Sequence, residues 1–528
     1  MDASVRFLIR FIFHVYLLSP HAVLLPGIKL AMQLRSGRRL VSPPPAPRGD
    51  LRRVRPRRIQ EDGDAGEDRI SSLPDELLLD VLRRLGCARE AARTSVLSHR
   101  WSVLWTELRE LSIAAVAADA VSPSIDAVET ALGRVRPCIN SLKLRVLVLR
   151  DVRNPTGAQI SSLLRAADRL APAKLILSLC KNNYYHPMDD PFELPCFGRA
   201  TSIDLFVVGH DFTLAPAPGE FACLEQLNLT LDCSVVDLGV LLSRCPRLRT
   251  FRMVVRIPRW INTIAVESKS LEELTAVICT NSPADVVIVA PELKKLGLVF
   301  LLSGTVFGTV SRAAPKLEQF LLSYTCQHPR VGLGDKWRLD KLTQWSDRNG
   351  SRSRVRVHVL SLTILNNSGH TPAERSFAQE VARLPVNHFS VLDLSIRTSG
   401  HVFAPLLLHL LLIRTSIQSL KLVLITNYVS ECSENCDCDQ DGNWRNQEIS
   451  LPDLEDVEIQ GFSAADHEVD FLQLVFRSAP ILKRMNVQLS DEVSPCDGGC
   501  QKLHSIFESN ASVKCNVYDK SGDMISFA

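Results

Sequence analysis

Pro291-Glu292-Leu293-Lys294-Lys295-Leu296-Gly297-Leu298 sets the pattern of this chain. A proline bend leads into three apolar positions, and the residues between them are polar or small. The end of the stretch alternates with the period of two that marks a half-buried strand. The template Pro-x-Leu-x-x-apolar-x-apolar returns from Pro246 to Met253, from Pro315 to Leu322, from Pro452 to Ile459 and from Pro480 to Val487. Looser versions begin at Ile139, Ala200, Leu224, Leu271 and Ile417.

The first leucines of successive copies, Leu224, Leu248, Leu271, Leu293 and Leu317, stand 24, 23, 22 and 24 residues apart. Leucine-rich repeats have a period of roughly 20–29 residues. In such a repeat a bend precedes a short strand whose apolar positions point into a stacked core. The intervening positions face the concave surface. One repeat cannot bury its apolar side alone, so neighbours must stack. A generic α/β protein with leucine-rich strands is the plainer alternative, but chance composition rarely gives a fixed period. The asparagine that often closes each repeat is mostly missing, so the repeats are irregular. Val236 to Leu242 reads as a return helix or 3₁₀ turn. The predicted class is α/β, a curved parallel sheet with helices or turns outside it. Two stretches break the pattern: Arg330 to Arg356, which is polar, carries Trp337 and Trp345 and reads as a long loop or insertion, and the Cys- and Asp-rich Ser430 to Asn446, which reads as a loop.

The chain has 528 residues, 46% of them hydrophobic, and a net charge of +3. It is too long for one simple domain, and its weak charge balance implies no nucleic-acid partner. The 15 cysteines are scattered singly through apolar segments, as buried free thiols are in a reducing compartment. The expected localisation is therefore cytoplasmic, nuclear or both. Phe7 to Leu18 is apolar but interrupted by Arg10 and His14, and is too short for a membrane span of roughly 20 residues. No membrane association is expected, and the stretch reads as a dispensable leader. Arg35 to Arg58 is rich in Arg and Pro, and an acidic run from Glu61 to Asp68 follows. This reads as a disordered linker whose basic core, Arg52 to Arg58, is either a nuclear-import signal or a solubilising tail.

A different texture lies between linker and repeats. Pro74 suits the opening turn of a helix. Leu77, Leu78, Val81, Leu82 and Leu85 follow at helical spacing, and Gly86 ends the run. Glu90 to Leu97 reads as a short second helix. Trp101, Leu104, Trp105 and Leu108 form a third helical pattern. Three short helices in about forty residues make a marginal core by themselves. They either cap the first repeat or offer their surplus apolar surface to another protein.

Candidates for chemistry are weak. Cys432, Cys436 and Cys438, with Cys496 and Cys500 further on, lack the paired C-x2-C hooks of zinc sites, so no metal is predicted. There is no G-x-S-x-G, H-E-x-x-H or P-loop motif. The 13 histidines are dispersed, and His210 and His388 read as surface or core residues. Neither catalytic residues nor a cofactor are predicted.

Asp68 to about Ile113 resembles an F-box of the plant type. The matching residues are Ile70-Ser71, Leu73-Pro74-Asp75-Glu76-Leu77-Leu78, Val81-Leu82, Leu85, Arg93-Thr94-Ser95-Val96-Leu97-Ser98, Trp101 and Leu104-Trp105. Gly86 stands where the family usually has Pro, and His99 where it usually has Arg. The segment from about Leu451 resembles the FBD region of plant F-box/leucine-rich-repeat proteins. It matches at Val457-Glu458-Ile459, Gly461-Phe462, Asp466-His467-Glu468 and Ala479-Pro480, then Leu482 to Met485.

The resemblance implies five parts: a leader and linker (1–67), an F-box (68–113), a repeat solenoid (114–429), a Cys/Asp-rich loop (430–450) and FBD-like repeats (451–528). It implies a non-catalytic subunit of an SCF-type ubiquitin ligase. The F-box would dock a Skp-type adaptor, and through it a cullin, using Leu73, Pro74, Leu77, Leu78, Val81, Leu82, Val96, Trp101, Leu104 and Trp105. The repeats would hold a target protein. The competing expectations are a repeat scaffold without ligase coupling and a receptor whose repeats and Arg330–Arg356 loop enclose a small ligand.

Overall fold

The computed structural model describes residues 70, 72–114, 124–137, 142–148, 155–180, 191–208, 210–215, 219–231, 238–257, 261–280, 284–302, 309–326, 332–333, 337–347, 357–366, 389–413, 416–425, 438, 444–491, 493 and 498–525. The chain divides into two units, Met1–Pro74 and Asp75–Ala528. The leader and the charged linker lie outside the described residues. In the first unit Leu73 donates its N–H to the Ile70 carbonyl at 3.1 Å, closing a turn.

The second unit opens with α1 (Asp75–Arg84), α2 (Ala88–Arg93) and α3 (His99–Leu104), joined by 3₁₀ turns at Thr94–Val96 and Trp105–Glu107. Asp75 and Glu76 sit in the first turn of α1 and Arg83 and Arg84 in its last, as the helix dipole favours. Gly86 stops the helix with φ +69°, a left-handed conformation that suits glycine. The second helix is shorter than the expected Glu90–Leu97 span, because its last turn tightens to 3₁₀ geometry. Arg100 Nε donates to Asp75 at 2.7 Å and ties α3 to the start of α1.

The sheet begins with β1 (Glu110–Ala114), against which α2 packs. After α4 (Ile125–Arg134) come β2 (Lys143–Val148), α5 (Gly157–Arg169), β3 (Lys174–Cys180), β4 (Phe192–Leu194), β5 (Ser202–Val208), β6 (Phe212–Leu214) and β7 (Gln226–Leu231). Then follow α6 (Leu238–Ser243), β8 (Thr250–Ile257), β9 (Thr263–Glu267), β10 (Glu273–Thr280), β11 (Asp285–Val289), β12 (Lys295–Leu302), β13 (Val310–Ala313) and β14 (Gln319–Cys326). Strands β1, β2, β3, β5, β7, β8, β10, β12 and β14 pair in that order, all parallel. The register sets Phe251 beside Leu274, Leu274 beside Leu296 and Leu296 beside Phe320, so the repeat period of the sequence is the register of the sheet.

The template works as its spacing requires. Leu293, Leu296 and Leu298 are buried, as are Leu248, Phe251 and Met253. Each fully buried side chain of this size contributes about 1.5–3 kcal/mol, and it can do so only with the neighbouring repeat in place. Behind this ladder β9, β11 and β13 form a second parallel sheet, and β4 pairs with β6. The expected return element over Val236–Leu242 is α6. Residues 232–237 lie outside the described ones.

One expectation is overturned. Arg330 to Arg356 is not simply a loop. It contributes β15 (Gly332–Leu333) and the eleven-residue β16 (Trp337–Asp347). β16 runs antiparallel to β14 on one side and to β17 (Val357–Asn366) on the other. It therefore carries the main sheet across the break. Trp337 and Leu339 point inward, a bulge falls between Leu339 and Lys341, and Leu342, Gln344 and Ser346 point inward after it. Polar inward residues and a change of phase conceal this strand from a periodicity reading.

Parallel pairing resumes with β18 (Val391–Arg397), α7 (Ala404–Ile413), β19 (Ser419–Ile425), β20 (Asp456–Phe462), α8 (Asp466–Ser478), β21 (Arg484–Leu489), α9 (Gly498–Ser509) and β22 (Lys514–Tyr518). Apolar residues surround the axis of α7, and most of them are buried, as expected of a helix enclosed by protein. Phe403, just before α7, packs edge-on against Phe471 of α8 with ring centroids 5.6 Å apart. Among the described residues no helix is long and apolar enough to cross a membrane.

Glu468 in the first turn of α8 is 3% exposed. Its Oε2 accepts from the Ser463 N–H at 2.7 Å, capping the entry to the helix. Burial pushes its carboxyl up to about 7, against hydrogen bonds from Ser463, Ala465 and Ala464 that pull it down. The folded protein thus binds this proton more tightly than the unfolded chain. The resulting stability is full below the ordinary value of 4.5 and is lost as pH rises through about 7. Glu468→Gln should remove this slope, so that the wild-type minus variant difference in melting temperature falls from pH 5 to pH 8. A difference that stays constant with pH would refute the assignment.

Candidate functional site

The ten residues singled out from the sequence separate into two groups. Leu78 and Leu82 of α1, with Trp101, Leu104 and Trp105, are buried in the core of the second unit. Leu77 and Val81 are 49% and 46% exposed, and Val96 is 89% exposed. Pro74 is exposed and Leu73 half-buried. Leu77 and Val81 are four residues apart and share one stripe of α1, and Leu85 follows in the turn just past its end. Leu78 and Leu82 lie on its other side.

Five of the thirteen large apolar side chains exposed among the described residues, Leu77, Val81, Leu85, Val96 and Leu97, fall within 21 residues. The remaining eight include Ile70 and are otherwise spread over the repeats. Scattered apolar residues are normal on a surface, whereas a concentration of them marks an interaction site. The buried group gives this patch its footing. The packing of α2 on β1 attaches the helices to the edge of the sheet, so the helical segment caps the repeats and presents apolar surface at once.

A second candidate surface is the face of the main sheet opposite the core. There the register aligns Arg252, Thr275, Gly297, Leu321 and Trp345 across β8, β10, β12, β14 and β16. Trp345 is 40% exposed. Arg256 and Lys341 are also exposed on this face, and Lys295 is paired with Glu273 at 2.8 Å. Towards the C-terminus the face becomes a polar ladder. Ser361 donates to Asp393 at 2.7 Å, Lys421 pairs with Glu458 at 3.2 Å, and Asn516 donates to Asn486 at 2.8 Å. Trp345 was hidden from the sequence reading by the assignment of its segment to a loop. No local alternation marked it, because its inward neighbours Gln344 and Ser346 are polar.

Of the cysteines that could hold a metal, Cys432, Cys436 and Cys496 lie outside the described residues. Cys438 and Cys500 are buried and form no disulfide. Burial pushes the Cys245 and Cys326 thiols up to about 12 and Cys515 up to about 11. These three are therefore thiols at neutral pH, not nucleophilic thiolates. His210 is buried, and His388 lies outside the described residues.

Comparison with known proteins fits this architecture. Residues 165–336 match the family profile described as FBD-associated F-box protein At5g56370, LRR repeats. The chain is related to plant F-box/FBD/LRR-repeat proteins. FBD-associated F-box protein At5g60610 of Arabidopsis thaliana is 24% identical over 442 residues, covering 80% of this chain and 99% of the relative. Putative FBD-associated F-box protein At5g22720 of the same plant is 26% identical over 256 residues, 44% of this chain and 50% of the relative. A shorter and closer match, 54% identical over 46 residues, is to MEIOTIC F-BOX protein MOF of Oryza sativa subsp. japonica, covering 9% of this chain and 10% of that protein. The chain thus spans about half the length of At5g22720 and nearly all of At5g60610.

Proposed function

We propose that this protein is a substrate-recognition subunit of an SCF-type ubiquitin ligase. In this reading residues 68–113 form an F-box that docks a Skp-type adaptor, and the repeats hold a target protein. The observation that carries the reading is the concentration of exposed apolar side chains from Leu77 to Leu97, seated on a buried core beside a sheet that supplies a separate binding face. A short, close match of 46 residues is also what a shared docking module of this size would produce. The exposed residues Pro74, Leu77, Val81 and Val96, with half-buried Leu73, make the contact. Leu78, Leu82, Trp101, Leu104 and Trp105 hold them in place.

The subunit itself forms no bond to substrate. Holding a lysine-bearing target near a conjugating enzyme carried by other chains raises the effective concentration of the two reactants, and proximity of this kind supplies a large rate advantage. The FBD-like repeats from 451 to 528 extend the binding surface.

Affinity purification of the full chain under proteasome inhibition, followed by mass spectrometry, tests both halves of the proposal. Leu73→Ala with Pro74→Ala should lose the adaptor and cullin while keeping target proteins. Trp345→Ala should keep the adaptor and lose at least tenfold of target signal, as expected when an exposed aromatic anchor is removed. Retention of the adaptor by the first variant would sink the docking claim. Unchanged targets in the second would move the recognition surface away from β16.

A further inference from the structure

A cavity of about 360 Å³ lies where the helical segment meets the first repeat. Its floor includes Trp105 and Leu111, both buried. Its walls include Ala92 of α2 and Ala131 of α4, small side chains that leave room beside them. Arg89 and Arg93 line it as well, and both are exposed to solvent. Arg93 Nη1 also pairs with Glu90 at 2.9 Å, which leaves other guanidinium N–H groups able to donate.

Size and charge together narrow the occupant. Small-molecule pockets run from about 300 to 1,000 Å³ and are mostly apolar with a few polar groups that orient the ligand. α2 is six residues long, so one wall of the site extends only about 9 Å at 1.5 Å per residue. That is too short to cradle a partner helix of several turns. An apolar floor with arginines beside it suits a molecule with an apolar tail and an anionic head. Guanidinium groups bind carboxylates through paired, charge-assisted hydrogen bonds.

We propose that this cavity binds a small aliphatic carboxylate, with the tail over Trp105 and Leu111 between Ala92 and Ala131 and the carboxylate on Arg89 and Arg93. The site lies off the repeat face that holds the target in the reading above and does not depend on that reading. A bound ligand here would bridge α2 and α4, and so stiffen the junction between helices and repeats.

Titration calorimetry of the full chain with decanoate tests the proposal, with 1-decanol and decyltrimethylammonium as uncharged and cationic molecules of the same tail. The chain has six tryptophans, so the fluorescence change of the wild type minus that of Trp105→Phe provides a local readout. Saturable one-to-one binding of decanoate is expected, with decyltrimethylammonium at least tenfold weaker. Arg89→Gln with Arg93→Gln should weaken decanoate at least tenfold and leave 1-decanol unchanged. Ala92→Leu and, separately, Ala131→Leu fill the space and should abolish binding of both, with the melting temperature retained. Should one filling variant fail to fold, the other and the arginine pair still decide. Absence of saturable decanoate binding to the wild-type chain would overturn the site, as would wild-type affinity in a folded filling variant or equal affinity for the cation.

Discussion

Leu77→Lys combined with Val96→Lys should abolish capture of a Skp-type adaptor and leave the melting temperature within a degree or two of wild type. Both side chains are largely exposed, so the folded chain loses little when they change. Burying a leucine or valine against a partner is worth about 1.5–3 kcal/mol. Two losses, with two charges placed in an apolar contact, weaken binding by at least a hundredfold, since about 1.4 kcal/mol is tenfold. Leu78→Ala provides the contrast one residue away. Leu78 is 1% exposed, and its truncation should cost about 2–5 kcal/mol of stability. Surface plasmon resonance against immobilised adaptor, paired with thermal melts, reads both effects. A Leu77/Val96 variant that binds at full strength would place the docking surface elsewhere.

Gly461→Ala should disrupt the C-terminal repeats. Gly461 lies in β20 with φ +74°, and a Cβ there would overlap the Leu424 carbonyl oxygen of the neighbouring strand. The substitution combines a left-handed backbone with a clash against backbone, and neither can be relieved by rotating a side chain. A cost on the order of 2–4 kcal/mol follows from strain and overpacking together. Because each repeat is supported by its neighbours, the loss should appear as early proteolysis of the segment after β19 and a lower melting temperature. Gly133→Ala is the control, since Gly133 lies in α4 with nothing within 4 Å of its added Cβ. It should be neutral or slightly stabilising. Equal melting temperatures for the two variants would show that the close approach of β19 and β20 carries no strain.

The strand ladder was legible because the information is local and repeated. Leu293, Leu296 and Leu298 need only a neighbour of the same kind, so the period of the sequence becomes the register of the sheet. Gly86 was legible as a helix stop for a similarly local reason, its left-handed backbone. β16 was not legible. Its inward positions include Gln344 and Ser346, its phase shifts at the bulge after Leu339, and its pairing partners are twenty or so residues away on each side. Polar composition argues for a loop, but two adjacent strands with open backbone groups impose a strand.

The helical segment divides along the same line. Apolar spacing alone determined that residues 75 to 108 form short helices with more apolar surface than they can enclose. It could not separate Leu77 from Leu78 or Val81 from Leu82, because both members of each pair are apolar and either could face inward. Packing of α1 and α3 around Trp101 and Trp105, and of α2 on β1, settled which member is buried. Sequence by itself determined the repeats and the existence of a surplus apolar surface, since both follow from the order of side chains along the chain. Only the tertiary structure decided where that surface lies and that β16 continues the sheet, since exposure and strand pairing depend on neighbours remote in sequence.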